Sequence, residues 1–327
     1  MRFLVEAAAL KRAMALIHPV IPRRHTIVIY ESVLLRLSGD RLSIHAHDMP
    51  HAAILTLDVQ GSEDGEALVS GARLKAIADA APDGAEISFS CGDVGDGASV
   101  MLGRSRFRLA LLLPADFPTF NVVNGTAFDI EPSDLERLLS CVACASRDET
   151  RLYLNGVFLH RRGESLCCAA TDGHRLARVG IPLPEGGGEL EDEPDQSAGA
   201  IIPTDGVRHM IAIVGERKCR FTLGNNAVQV ECEMSDGSSI LYRSRLIDGD
   251  YPAYSRVIPE RKNLSGMARI DTARFRAALK RVSVALAAVE GEKKKPKEYI
   301  RLTFDQDVLR LDASGDFGES ASEEIDI

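Results

Sequence analysis

Residues 128–142 read FDIEPSDLERLLSCV, and this stretch decides the fold because the chain writes it three times. Residues 3–17 read FLVEAAALKRAMALI, and residues 268–282 read ARIDTARFRAALKRV. Each copy has an apolar, strand-type residue (Val5, Ile130, Ile270) followed five positions later by a second apolar residue (Leu10, Leu135, Phe275). From there the apolar residues recur at helical spacing: Leu10, Met14, Ile17; Leu135, Leu138, Leu139; Phe275, Ala278, Leu279, Val282. The period of the pattern changes from 2 to 3.6 within a few residues, which predicts a strand running directly into an amphipathic helix. The offsets between copies are 125 and 140 residues, the size of whole domains and far too long for a solenoid repeat.

The ends of the first two units repeat as well. LPADFPTF (113–120) matches IDGDYPAY (247–254) at an offset of 134, which aligns Asp116 with Asp250, Pro118 with Pro252 and Phe120 with Tyr254. The acidic, Gly-rich insertion at 185–199 accounts for the change of offset and reads as a solvated loop. A Pro between aromatics predicts a strand that ends in a rigid turn packed under the sheet. Unit one continues through VLLRL, RLSIHA, EALVS, a second helix ARLKAIADAA, then EISFS, ASVML and FRLALLL. Unit two parallels it with NGVFLH, SLCCAA, GAIIP, a helix GVRHMIAIVG, then CRFTL, AVQVEC and SILYRS. Unit three offers one helix, then YIRLTF, VLRLDA and SEEIDI, about half a unit. The expected fold class is α+β, with repeated domains of antiparallel sheet carrying two helices on one face. The expected boundaries are 1–125, 126–262 and 263–327, the third domain being only about half present.

Composition narrows the function classes. The longest apolar runs fall well short of the roughly 20 residues of a membrane span. The start has Glu6 and no small-residue cleavage site, so neither anchor nor secretion signal is expected, and the location expected is cytoplasmic. The seven cysteines are odd in number and Cys141-x-x-Cys144 has no second pair, which predicts buried reduced thiols and no metal site. The net charge of −9 is segregated: residues 185–195 hold six acids and no base, whereas residues 272–289 hold four bases and no acid.

ATDGHRLA (170–177) looks at first like catalytic machinery. On a strand, Asp172 and His174 would share a face, but nothing near them supplies a nucleophile or an oxyanion hole. GxSxG, P-loop, HExxH and Rossmann patterns are missing, so the expectation is no catalytic residue, no cofactor and no enzyme.

Four of these stretches, RLYLNGVFLH (151–160), ATDGHRLA, LPADFPTF and LIDGDYPAYSRVIP (246–259), resemble the bacterial DNA polymerase III β sliding clamp, in order and on the same repeat. The resemblance implies the DNA-clamp fold and a non-catalytic processivity factor. It implies a head-to-tail homodimer ring around double-stranded DNA, bound without sequence specificity, that tethers the replicative polymerase. DNA polymerase III catalytic subunit and the clamp loader are the implied partners, through clamp-binding peptides. The residues implied for DNA are Arg24, Arg73, Arg137 and Tyr153. Those implied for the peptide groove are Leu154, Thr171, Gly173, His174, Arg175, Leu176, Pro252, Arg256 and Val257. Those implied for the ring-closing interface are Ile77, Phe107 and Leu109 on one side and Arg281, Val284 and Glu323 on the other.

The chain also departs from the family. Thr204-Asp205 stands where a basic pair usually opens the fourth helix, and Leu152-Tyr153 stands where two tyrosines are usual. The last half-domain, which in the family supplies the opposite wall of the groove, has no counterpart here, so peptide binding is expected to be weak or lost. The alternative expectation is therefore a shortened paralogue that does not encircle DNA and acts as a protein-binding or regulatory module. EGEKKKPKEY (290–299) reads as a solvated loop that could touch DNA.

Overall fold

The computed structural model describes residues 1–22, 24–92, 94–119, 121–191, 199–286, 299–314 and 319–327. They form two compact units, Met1–Ser255 and Arg256–Ile327.

The first unit begins with β1 (Arg2–Glu6), which passes without a loop into α1 (Ala7–Ile17); the Ala7 N–H finds its acceptor in the Ala85 carbonyl at 2.9 Å. There follow β2 (Ser32–Ser38), β3 (Arg41–Asp48), β4 (His51–Asp58), β5 (Gln60–Glu63), β6 (Gly65–Ser70) and α2 (Gly71–Asp79). Next come β7 (Glu86–Cys91), β8 (Ala98–Leu102), β9 (Ser105–Leu109), β10 (Thr126–Ile130) and α3 (Pro132–Leu139). The unit closes with β11 (Gly156–Arg162), β12 (Ser165–Thr171), β13 (Leu176–Pro182), β14 (Ala200–Pro203), α4 (Thr204–Val214), β15 (Cys219–Leu223), β16 (Ala227–Glu233) and β17 (Ser239–Arg245). Pro132 opens α3 where the missing N–H costs nothing and the fixed φ suits the helix.

These strands build three antiparallel sheets, in the orders β5-β1-β7-β8-β9, β10-β15-β16-β17-β4-β3-β2-β6 and β13-β12-β11-β14. The repeat is physical. In β1–β7, Phe3 lies opposite Phe89 and their rings stack at 5.1 Å; in β10–β15, Phe128 lies opposite Phe221 and they stack at 5.2 Å. Isolated bridges recur at matching points, Leu68 to Leu112 and Ile201 to Ile247. Helices α1 and α2 pack together, as do α3 and α4, and their buried residues (Leu10, Met14, Ile17, Leu74; Leu135, Leu138, Val207, Met210) join one core with the sheets. At roughly 25 cal/mol per Å² of apolar area, burying each such side chain stabilises by about 1.5–3 kcal/mol.

The aromatics around the repeated prolines pack as expected. Phe117 is buried against Leu34 and Leu68. Tyr251 stacks on Phe158 at 4.8 Å, and the Tyr254 hydroxyl lies 3.0 Å from His160 Nε2. Phe120 lies outside the described residues, as do 192–198 of the acidic insertion and 290–298 of the Lys-rich stretch.

The structure corrects the sequence reading in four places, the first being the third repeat, where residues 268–271 are irregular and no strand runs into the helix after Ile270. HAAILTLD (51–58), QGSE (60–63) and LARVGIP (176–182) are strands that the sequence reading passed over. FRLALLL ends as a strand at Leu109. Asp172 and His174 are not on a strand: residues 172–175 are the turn between β12 and β13.

The second unit contains α5 (Thr272–Val282) and an antiparallel sheet of β18 (Ile300–Asp305), β19 (Val308–Ser314) and β20 (Ser320–Asp326). Asp271 caps α5 by accepting the Arg274 N–H at 2.8 Å. Ala278 and Val282 pack on Leu309, Leu311, Ala313 and Ile325.

Candidate functional site

The turn at 172–175 is built by its own side chains. Asp172 Oδ1 accepts the N–H groups of His174 (2.9 Å) and Arg175 (3.0 Å), and Oδ2 accepts Arg175 Nε at 3.0 Å. Those backbone donors, with the Arg175 side chain behind them, hold the Asp172 carboxyl down at about 2. Thr171 Oγ1 donates to the Arg175 carbonyl at 2.7 Å and accepts the Gly173 N–H at 3.1 Å. Gly173 has φ +91°, a conformation that a side chain resists. The Asp172 carboxylate and the Thr171 hydroxyl are thus spent on shape, and His174 and Arg175 are left exposed.

A second built loop stands beside it. Asp148 accepts from the Thr150 hydroxyl (2.7 Å), the Thr150 N–H (3.0 Å) and Arg151 Nε (2.9 Å), which together hold its carboxyl at about 2. Asn155 Nδ2 donates to the Asp148 carbonyl at 3.1 Å, and the Ser146 N–H donates to the Leu154 carbonyl at 2.9 Å. The loop turns Leu152 and Tyr153 outward and buries Leu154. Arg151 Nη1 lies 3.4 Å from where a side chain on Gly173 would begin, so the two loops adjoin. Sequence reasoning missed Asp148 and Arg151; their three-residue spacing in SRDETRLYL was the available signal.

Leu154 and the turn residues Gly173, His174 and Arg175 therefore belong to adjoining loops, with Thr171 and Leu176 at the strand ends that carry the turn; Leu154 is buried, Leu176 half-buried and Pro252 exposed. The buried Leu154 supports the loop from beneath. Arg256 and Val257 open the second unit and are exposed there.

The bases implied for DNA divide by partner. Arg24 is exposed in the loop after α1, Arg73 is exposed on α2, Arg137 is exposed on α3, and Tyr153 is 38% exposed. Arg12 pairs with Asp236 (3.1 Å), Lys75 with Asp79 (2.5 Å) and Arg208 with Asp205 (3.0 Å). Among the described residues Lys11, Arg73 and Arg137 have no carboxylate partner.

On the first unit, Ile77, Phe107 and Leu109 do come together, lining with Arg73, Ala76 and Ala80 a mostly apolar concavity of about 350 Å³. Ile77 and Leu109 are buried by the chain itself, and the half-buried Phe107 carries the exposed part. On the second unit, Arg281 Nε donates to Glu323 Oε2 at 2.9 Å and Nη2 bonds Oε1, a two-pronged pair, and Val284 is 72% exposed.

Among the described residues no group of three His, Cys, Asp or Glu converges as a metal site, and no helix is long and apolar enough to cross a membrane.

Known proteins carry the same plan. Residues 1–121 match the family model of the DNA polymerase III beta subunit, N-terminal domain, and residues 129–253 match that of its central domain. The beta sliding clamp of Caulobacter vibrioides is 31% identical over 321 residues, covering 93% of this chain and 80% of the relative. That of Escherichia coli K12 is 28% identical over 332 residues, covering all of this chain and 84% of the relative. The crystal structure of the Caulobacter crescentus beta sliding clamp superposes with a TM-score of 0.80 at 30% identity, covering 100% of this chain and 83% of that one. A sliding clamp from Bartonella birtlesii bound to griselimycin gives 0.80 at 27% identity, covering 100% and 84%.

Proposed function

The chain belongs to the DNA polymerase III beta subunit family and has the function of a sliding clamp, a non-catalytic processivity factor; from that premise we propose that it works as a head-to-tail ring of two copies around duplex DNA. The domains of this reading are 1–125, 126–262 and 263–327. The single observation that carries it is the repeat itself, two α+β domains with matched Phe pairs and paired helices, joined through one continuous sheet.

A clamp must surround DNA without gripping it. Phosphate contacts from Lys and Arg are sequence-independent and exchange quickly, so a few such contacts hold and permit sliding. Lys11, Arg73, Arg24, Arg137 and Tyr153 are the contacts of this reading, supported by the absence of carboxylate partners for Lys11, Arg73 and Arg137 among the described residues. Arg12, Lys75 and Arg208 are muted by their acids, which keeps the hold loose. A net charge of −9 opposes DNA elsewhere on the surface, so field and shape together favour the helix side.

The polymerase and the loader dock, in this reading, through short peptides at Leu154, Thr171, Gly173, His174, Arg175, Leu176 and Pro252 of the first unit. Support comes from the rigid hairpin turn and its neighbouring loop, whose internal hydrogen bonds remove the ordering cost from binding. Ring closure brings the Phe107 concavity against a partner's Val284 surface, with Arg281 and Glu323 at its rim; a small apolar patch with flanking charge suits a cyclic interface. The place of work is the cytoplasm. Light scattering after size exclusion tests the assembly: a particle of twice the 35.5 kDa chain mass is expected, falling to one chain in Phe107→Asp. A wild-type chain that stays monomeric at tens of micromolar would sink it.

A further inference from the structure

Arg137 does not stand alone. With Arg162 at the end of β11 and Arg178 in β13 it lines an open concavity of about 640 Å³, together with Glu164, Ser165 and Cys167. Alternation along the strands puts Arg162 and Arg178 on the face turned away from α3 and α4, because Leu159, Leu166 and Ile181 fill the helix-side core. Arg137 rises from α3 on the other side. The concavity therefore wraps the β13 margin of the sheet, from the helix side to the outer face.

Three arginines meet there and, among the described residues, none has a carboxylate partner, whereas Arg151, Arg175, Arg208 and Arg220 of the same unit each have one. Glu164 is the one acid in the lining, which leaves an excess of two positive charges in a chain of net charge −9. Arg178 is exposed and neighbours the Tyr254 hydroxyl, which lies 3.0 Å from His160 Nε2. Exposed guanidinium groups gathered in one concavity without a carboxylate partner are a receptor for an oxyanion.

We propose that this concavity is a second nucleic-acid contact, in which Arg137, Arg162 and Arg178 hold successive phosphates of a strand crossing the β13 margin. The proposal rests on the clamp reading for the presence of DNA. Phosphodiester is favoured over an acidic peptide because the lining offers no open apolar anchor: Ile181 is buried, and Pro182 stands alone beside the polar groups. The planar fork of arginine matches phosphate in two-pronged fashion. No base edge is read, so the contact tolerates any sequence.

Anisotropy of a labelled oligonucleotide, single-stranded in one arm and duplex in the other, tests this across a salt series. Removing two phosphate contacts in Arg162→Ala/Arg178→Ala should flatten the slope of log K against log salt by about 1.4–1.8. Between roughly 50 and 200 mM salt the wild type should lose about tenfold more affinity than the variant. Arg137→Ala alone should give about half that change in slope. Unchanged slopes in both arms overturn the proposal, as does poly-glutamate competing as well as an oligonucleotide. Arg73→Ala, on the helix side, separates the two readings: if it weakens duplex binding while Arg162→Ala/Arg178→Ala does nothing, the clamp reading stands and this site falls. If only the sheet-side variant acts, the site stands and the helix-side contact falls.

Discussion

Acidification should loosen the seam at which β4 pairs with β17, and His51 should report it. Tyr242 is buried there, with its hydroxyl 2.9 Å from His51 Nδ1 and 3.2 Å from His209 Nδ1. Burial drives His51 down to about 4, helped by His209 and His47 and opposed by Asp205; His209 is lowered by burial against the pull of Asp205 and Asp48. His47 is lowered by burial and by Arg243. A base with a depressed folded pKa takes up its proton more readily unfolded, so its stabilising share is complete above the unfolded value near 6.5 and drains away as pH falls toward 4. For His51 the full share is about 3 kcal/mol, and roughly 2 kcal/mol of it goes between pH 7 and pH 5. Thermal melts of wild type and His51→Gln at both pH values isolate it. The wild-type Tm should fall further than the variant's by roughly 4–8 °C, since about 1 kcal/mol moves Tm by 2–4 °C at this size. His45 and His160, each also held at about 4 mainly by burial, titrate in both proteins and cancel in the comparison. Equal acid losses in the two proteins would refute the reasoning.

Other outcomes follow from the same geometry. Gly206 faces the seam from α4, where a methyl group would come within 2.4 Å of Ser244 Oγ; Gly206→Ala should cost about 1–2 kcal/mol in urea unfolding, overpacking outweighing the helix propensity gained. Gly173→Ala puts a side chain at φ +91° and should cost about 1 kcal/mol while weakening binding of a clamp-motif peptide, measured by calorimetry; undiminished peptide affinity would remove the turn from the site. Lys11→Ala/Arg73→Ala should reduce the salt slope of duplex binding by about 1.8 and leave the melt unchanged. A slope that does not move would show that α1 and α2 do not meet phosphate.

The local grammar of the fold is legible in the sequence because it is written in short-range periodicity. The helical spacing after Val5, Ile130 and Ile270 marks three helices, although only the first two are entered from a strand, and the aromatics beside the repeated prolines mark where Phe117, Tyr251 and Tyr254 pack. The seam is not legible. It joins residues 51–56 to 239–244, and nothing within either segment announces a partner almost two hundred residues away. HAAILTLD was passed over because its small residues dilute the apolar alternation. The turn at 172–175 was half legible: Asp-Gly between apolar runs is a hairpin signal, but the Asp–His spacing drew attention to chemistry where the Asp172 carboxylate is engaged in building the turn. The three-arginine concavity is invisible in one dimension, since residues 137, 162 and 178 meet only after α3 has folded onto the sheet.

Retention on DNA circles tests the ring most directly. Protein assembled on a nicked plasmid with a clamp loader and ATP is passed over a sizing column before and after the plasmid is cut once. A topological tether predicts that the chain elutes with the circle and is lost when the ends are freed. Equal retention on circular and linear DNA, or none on either, would contradict a clamp that encircles its template.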